Sequence, residues 1–478
     1  GSGRRKCQGV LPPRDALLCP PSATAPAPSI GSFNLSQLPA MSSLMAACST
    51  TTALAQPVRL VRRLSRRSEK SAAPSISDFD LCGYLGAGGY GMVLVASHRR
   101  VGRQYAIKVI DKRIVCAQPS QVASVYRERE VLASIRHPYI VPMRHAFQTA
   151  DHLCLVLDYV GGGNMYADLQ RNGAYSHERA QFYGAQVVLA LEHLHSRGIL
   201  YRDLKPDNVL LTTHGSIQLA DMGAACGATP DGSILGVTDG AKWTGKVKPS
   251  GRRMTITGTH GYRAPEMYDR EYSKPADWWC VGILIVEMLT GENPLRGANR
   301  KESEHLAKTL DVQLPDTVLP PARETALAFL VRDWRRRLGT PTYLETYWAP
   351  AEADKRAVGR VKASPFFAPI DFDRMLAGSL KPTFAVRCAQ LPHHGPKGST
   401  PGARTLDDFC QMVDYLKASV EARAKQPLAA EHEAAFAAWN WNASEDSVDE
   451  SGEGSPRLER RGSGLRLRAW GSAPVGAA

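Results

Sequence analysis

The sequence predicts an α+β chain in which a small antiparallel sheet precedes a mostly helical region. Short runs with strand character, Asp80 to Tyr84, Met92 to His98 and Gln104 to Ile110, follow one another across Gly-rich or basic turns, as hairpin-linked strands do. Further on, Ala180, Tyr183, Val187, Leu191 and Leu194 recur at spacings of three and four, which puts them on one face of a helix from about Ser176 to Ser196. With 478 residues, 43% hydrophobic and 22% charged, the chain has the composition of a globular protein with a sizeable core and the length of roughly two to four domains.

Several classes are excluded at this level. The longest strongly apolar stretch, Val281 to Val286, meets Glu287 far short of the ~20 residues a bilayer span needs, so no transmembrane segment is expected. Ten cysteines are scattered between Cys7 and Cys410 without a C-x-x-C pair, which argues against a zinc ribbon and suits a reducing, cytoplasmic setting. The net charge is +13, but residues 1–77 hold ten Lys/Arg against only Asp15 and Glu69 and so carry +8 of it. The basic excess belongs to a tail, and no specific nucleic-acid partner is expected. That arm, residues 1–78, is rich in Ser, Ala and Pro and is expected to be disordered. From Met41 it reads either as a flexible basic linker or as an organelle-targeting segment. Residues 442–478, acidic and then rich in Arg and Ser, are expected to be disordered too.

The first strand pair encloses Gly86-Ala87-Gly88-Gly89-Tyr90-Gly91, followed by Val93. A G-x-G-x-x-G-x-V loop between two strands lets backbone N–H groups approach phosphates, and the strand pattern after Gly91 argues against a dinucleotide-binding fold, which needs a helix there. The next strand carries Lys108 in Tyr105-Ala106-Ile107-Lys108, and an ammonium in so apolar a strand needs an acidic partner. In Tyr201-Arg202-Asp203-Leu204-Lys205-Pro206-Asp207-Asn208, Asp203 suits proton acceptance from an attacking hydroxyl, Lys205 neutralisation of a moving phosphoryl group, and Asn208 a magnesium ion. Asp221 of Asp221-Met222-Gly223 is the second oxygen ligand for a hard cation. Ala264-Pro265-Glu266 closes the series.

With these motifs in order, residues 79–367 resemble a eukaryotic protein kinase. The resemblance implies a bilobal fold, with an antiparallel-sheet small lobe and a mostly helical large lobe, and transfer of the γ-phosphoryl of Mg-ATP to Ser/Thr hydroxyls of protein substrates in signalling. It implies Asp203, Lys205, Lys108 and Glu128 as catalytic residues, with Glu130 the rival partner for Lys108. Asn208 and Asp221 are the implied Mg2+ ligands. The implied ATP site comprises Leu85, Gly86, Ala87, Gly88, Gly89, Tyr90, Gly91, Met92, Val93, Lys108, Asp158, Val160 and Asn164. Arg337 is expected to pair with Glu266, and Asp277 to hold the catalytic loop. Tyr201 before Arg202-Asp203, the Gly162-Gly163 pair and Ser364-Pro365-Phe366-Phe367 look like the AGC group. Gly258-Thr259-His260-Gly261-Tyr262 and Val361 to Phe367 are similar to G-protein-coupled receptor kinases, whose N-terminal regulatory domain the 78-residue arm is too short to hold.

Residues 368–441 look like an AGC-type tail. In it Leu406-Asp407-Asp408-Phe409 resembles the segment that crosses the nucleotide pocket, and Phe436-Ala437-Ala438-Trp439-Asn440-Trp441 resembles the aromatic motif that docks on the small lobe, with Asn440 where many relatives carry a phosphorylatable residue. Met222 replaces the usual Phe, an apolar exchange that leaves the chemistry alone. Asn164 removes one negative charge from the substrate groove, while Asp207 and Glu287 stand where basophilic relatives meet substrate arginines, so some preference for basic peptides is expected. Thr255, three residues before Gly258, is the expected target of an upstream kinase, with Thr257 the alternative, and Arg202 is expected to clamp the phosphate. The segment from Asp221 to Glu266 is long, and its middle, Gly227 to Gly251, reads as a mobile insert.

Overall fold

The computed structural model describes residues 74–88, 90–117, 119–227, 255–270, 272–343, 345, 350–384, 405–410 and 433–442. The rest of the arm expected to be disordered, the C-terminal tail after 442 and the insert after Gly227 lie outside the described residues.

The small lobe is built from β1 (Phe79–Gly88), β2 (Gly91–His98) and β3 (Gln104–Asp111), then helices α1 (Lys112–Cys116) and α2 (Pro119–Ser134), then β4 (Met143–Gln148) and β5 (His152–Asp158). The larger lobe follows with α3 (Met165–Asn172), α4 (His177–Ser196), β6 (Ile199–Leu200), β7 (Val209–Leu211), β8 (Ile217–Leu219) and β9 (Cys226–Gly227). Beyond the insert come α5 (Pro265–Asp269), α6 (Pro275–Thr290), α7 (Arg300–Thr309), α8 (Pro320–Phe329), α9 (Pro350–Lys362), α10 (Phe372–Leu376), α11 (Leu406–Cys410) and β10 (Trp441–Asn442). The expected strands and the antiparallel sheet are all present, in the order β1-β2-β3-β5-β4-β10.

Period-two alternation assigns each face of this sheet. Met92, Leu94, Ile107, Val109, Cys154 and Val156 form one buried face with Phe79 and Phe147. Lys108 lies opposite Val93 and Leu155 in the ladders and so points to the other face, toward α2. In the larger lobe, Ser176 caps α4 by accepting from Arg179 N at 3.3 Å, which satisfies an otherwise orphaned N–H. The five predicted face residues of α4 are all fully buried. The apolar run Val281 to Val286 sits inside α6, which is buried around its circumference, as a helix apolar on all sides must be. No described helix is long and apolar enough to cross a membrane. Arg337 meets Glu266 through two hydrogen bonds of 2.5 and 3.0 Å in the buried interior, as expected.

Two expectations need correction. The last residues of the arm are ordered: Ser75 and Asp78 form a capping box around a short 3-10 turn, Ile76–Asp78, and Ile76 packs on the Phe79 cluster. The Leu406 to Phe409 segment does not cross the nucleotide side. Leu406, Phe409 and Cys410 are buried in the cluster on the sheet face opposite Lys108, so the whole sheet separates them from it. Apolar area is the reason, since each side chain taken from water onto that face contributes roughly 1.5–3 kcal/mol. The aromatic motif does dock on the small lobe. Phe436 and Trp439 are fully buried, and Trp441 and Asn442 extend the sheet by pairing with Ala146 and His145 of β4.

Candidate active site

The site is assembled from a strand, a helix and two loops. Lys108 Nζ lies 2.6 Å from Glu128 Oε1 and 3.0 Å from Asp221 Oδ1. The choice between Glu128 and Glu130 is a matter of helix phase, because residues two apart on α2 point about 200° apart. Glu128 is buried against Lys108, whereas the Glu130 side chain is 43% exposed beside Arg129. Burial opposes the charge on Lys108, but Asp221 and Glu128 outweigh it and hold the ammonium above the ordinary lysine range. In return Lys108 holds Asp221 below the usual carboxylate range. Asp221 adopts a left-handed backbone, φ 53°, and accepts from Gly223 N at 3.2 Å.

The glycine-rich turn lies between β1 and β2. Leu85, Gly86, Ala87 and Gly88 end β1, and Gly91, Met92 and Val93 open β2. Gly89 lies outside the described residues, and Leu85 and Tyr90 are exposed. Gly91 is required by close packing, since a Cβ there would stand 1.8 Å from Val109 O. Met92 departs from the expectation. Its side chain is buried on the face opposite Lys108, so only its backbone can serve a nucleotide.

The catalytic loop runs between β6 and β7. Asp277, wholly buried, accepts from Tyr201 N at 2.9 Å and Arg202 N at 2.8 Å, and this allows Arg202 its left-handed φ of 69°. The loop then presents Asp203. Lys205 Nζ and Asn208 Nδ2 each lie 3.0 Å from Asp203 Oδ2, and Thr259 Oγ1 donates to Asp203 Oδ1 at 2.7 Å. Lys205 also donates to Thr259 at 2.6 Å. Thr259 is the member that sequence reasoning missed as a site residue: it enters there only as part of the Gly258 to Tyr262 likeness, and its partner stands 56 positions away. Gly258 beside it has φ 81°, and a Cβ there would lie 2.5 Å from Arg202 O.

The donor set fits a hard cation. Asn208 turns its amide nitrogen to Asp203, which leaves Oδ1 as an acceptor, and Ala220 N donates to Asn208 O at 2.9 Å, bringing Asp221 alongside. Two oxygen ligands suit Mg2+, which takes its remaining positions from phosphates and water.

A protein kinase domain model matches residues 79–349. The chain belongs to the protein kinase family. Among its relatives are a RAC family serine/threonine-protein kinase homolog of Dictyostelium discoideum, 32% identical over 67% of this chain and 64% of the relative, and the human RAC-beta serine/threonine-protein kinase, 33% identical over 66% of this chain and 60% of the relative. The serine/threonine-protein kinase Sgk1 of Fundulus heteroclitus is 33% identical over 67% of each. The chain thus spans less than two thirds of the length of the RAC relatives. These are AGC-group kinases, the group that Tyr201, Gly162-Gly163 and Ser364 to Phe367 suggested.

The remaining expected positions of this kinase follow. Asp158 ends β5, and Arg144 grips its carboxylate at 2.8 and 2.6 Å while Arg103 adds a contact at 3.1 Å, so that side chain locks the connection between the lobes. Val160 follows, half-buried. Asn164 caps α3, its Oδ1 accepting from Ala167 N at 2.8 Å, and that oxygen is therefore already engaged. Of the two carboxylates expected to meet basic peptides, Asp207 is exposed, whereas Glu287 is 4% exposed and accepts from Tyr262 OH at 2.6 Å. Arg202, expected to clamp a phosphate, is buried and donates to Ala224 O at 2.6 Å and Tyr272 OH at 2.9 Å. Tyr272 in turn donates to Thr255 O at 2.7 Å.

Proposed function

We propose that this protein kinase is an active serine/threonine kinase that transfers the γ-phosphoryl of Mg-ATP to protein hydroxyls. The observation that carries the reading is the 2.6 Å pair between Lys108 and Glu128 in a chain whose Asp203, Lys205, Asn208 and Asp221 are all intact. A pseudokinase scaffold needs one of these broken. Bound Mg-ATP supplies the phosphoryl donor and its metal. Lys108, held in place by two carboxylates, donates to nucleotide phosphates. Asp203 is oriented through both oxygens: Oδ2 takes Lys205 and Asn208, while Oδ1 takes Thr259 alone and keeps a second lone pair with which to accept the proton of an acceptor hydroxyl. Lys205, between Asp203 and Thr259, places positive charge where the moving phosphoryl gains negative charge. Asn208 and Asp221 offer the metal oxygens.

The closer likeness to receptor kinases rests on Gly258 to Tyr262 and Val361 to Phe367 alone, while the relatives named above are RAC and Sgk1 kinases. The AGC group is therefore the level of our assignment, and receptors are not proposed as substrates. A reducing, cytoplasmic compartment remains our reading of the cysteines, six of which form no disulfide among the described residues. An upstream kinase acting on Thr255 is the proposed regulator.

The test is Asp203→Asn. It removes proton acceptance and leaves the shape, so phosphoryl transfer is expected to fall by about three orders of magnitude or more while ATP affinity stays within about twofold. Turnover near wild type in a folded Asp203→Asn protein would overturn the assignment.

A further inference from the structure

We infer that the acidic run Glu445 to Glu453 of this chain docks on a basic ledge at the edge of the small lobe, made by Arg136, Arg144 and Arg103. The ledge stands where the described tail ends. Strand β10 runs antiparallel to β4, with Trp441 opposite Ala146 and Asn442 opposite His145, so the chain leaves the sheet in the direction of Arg144, the residue before His145. His145 Nδ1 lies 3.2 Å from Asn442 Oδ1, which fixes the point of departure. Arg136 borders the same place, its guanidinium 5.5 Å over the Trp441 ring.

The ledge carries more positive charge than its neighbours neutralise. Asp158 is its one acid among the described residues: Arg144 takes both carboxylate oxygens, at 2.8 and 2.6 Å, and Arg103 adds its contact at 3.1 Å. Arg136 is exposed and donates to Ile135 O at 2.8 Å, a neutral carbonyl just past the end of α2, where the helix dipole favours a cation. The charged groups facing Arg136 are Arg144 and Asp158, and those facing His145 are His98 and Arg144. Glu130, the last acid of α2, lies beside Arg129 at 4.0 Å and is not among them. Three guanidiniums thus share one carboxylate.

The occupant follows from charge and tether. Residues 443–453 hold Glu445, Asp446, Asp449, Glu450 and Glu453 and no lysine or arginine, so the run is complementary to the ledge along its whole length. Glu445 comes three residues after Asn442, a reach of up to about 10 Å. So short a tether holds the run near the ledge at an effective concentration in the mM range, ahead of any free polyanion. Single exposed ion pairs are weak, and the run answers this with several carboxylates acting on one cluster. Strand β10 is also the last strand of its sheet, and a docked run covers that free edge.

The experiment uses the full chain with Arg136→Lys, which keeps the charge and supplies an amine. A water-soluble carbodiimide condenses that amine with a carboxylate in contact, forming an amide while the carbodiimide takes up the water. Mass spectrometry is expected to find position 136 joined to Glu445 or Asp446, in a yield about tenfold above that of the exposed Lys301 and Lys355 with the same run. In about 0.5 M NaCl, where the Debye length falls to about 4 Å, the yield is expected to drop about fivefold. An equal mixture of 15N-labelled and unlabelled chains separates links within a chain, which are expected, from links between chains. A second measurement leaves the run itself unchanged: amide hydrogen exchange of residues 443–453 is expected to be about threefold faster in Arg103→Gln/Arg136→Gln than in wild type at low salt. A yield at position 136 no higher than at Lys301, links between chains only, or equal exchange in the double variant and wild type overturns the inference.

Discussion

At the residue scale, the chemistry proposed for this chain depends on charges held by partners distant in sequence. Lys108 was legible as needing an acid, and the apolar strand around it was the reason. Which acid it meets was decided by the phase of α2, which only the fold sets. The same holds at Thr255. It is exposed, and its carbonyl is tied through Tyr272 to Arg202, so the guanidinium expected to clamp a phosphate is linked to this residue by one intervening ring. We propose that a phosphate on Thr255, adding about two negative charges one ring away from the buried Arg202, would order the segment that carries Thr259. Thr255→Ala is expected to lower activity about tenfold in protein first treated with an upstream kinase, and phosphatase is expected to do the same to wild type. Full activity of the alanine variant, with no phosphate on residues 252–259 by mass spectrometry, would sink the idea.

At the scale of elements, the tail shows what patterning can and cannot tell. The aromatic residues of Phe436 to Trp441 announced a docking segment, because such side chains need a large apolar seat. The seat is α2 with β4. Trp439 Nε1 donates to Phe147 O at 3.0 Å, its ring meets Tyr126 edge-on at 5.5 Å, and Arg129 donates to Ala438 O and, at 2.9 Å, to Trp439 O. α2 also carries Glu128, so tail docking and the Lys108 pair share one helix. Trp439→Ala is expected to cost roughly 3–5 kcal/mol of stability and to lower activity with it, while Trp439→Phe recovers part of both. A thermal melt identical to wild type in the alanine variant would show that the contact contributes nothing. The added strand Trp441–Asn442 and the placement of α11 were not legible, since two residues carry no period and an apolar segment does not name its face.

At the scale of the whole molecule, a histidine pair joins the lobes and sets a pH limit. His137, in the loop after α2, stacks on His193 of α4 with ring centroids 4.9 Å apart. Burial lowers both, with His193 lowering His137 further to about 3 and Arg197 lowering His193 further to about 4. The unfolded chain takes up these protons near pH 6.5 and the folded one does not. Stability is therefore complete above about pH 6.5 and falls as pH drops from there toward 4, at up to about 1.4 kcal/mol per pH unit for each group. Urea midpoints measured between pH 7.5 and 5 are expected to show this slope, and His137→Phe to flatten it by about half. An unchanged slope in that variant would remove His137 from the account.

The sequence by itself determined the kinase fold and the order of the motifs proposed to do the chemistry, because those groups stand at short fixed spacings on one loop or strand, where local geometry decides what they can meet. Arg337 with Glu266 and Asp277 with the loop backbone were legible through the family resemblance rather than through any pattern. The tertiary structure alone decided the side of the sheet that α11 covers, the withdrawal of Glu287 into the core and the bridge from Thr259 to Asp203. Each of these joins residues on separate elements, so it is set by which faces bury apolar area together and by where that packing leaves the charges.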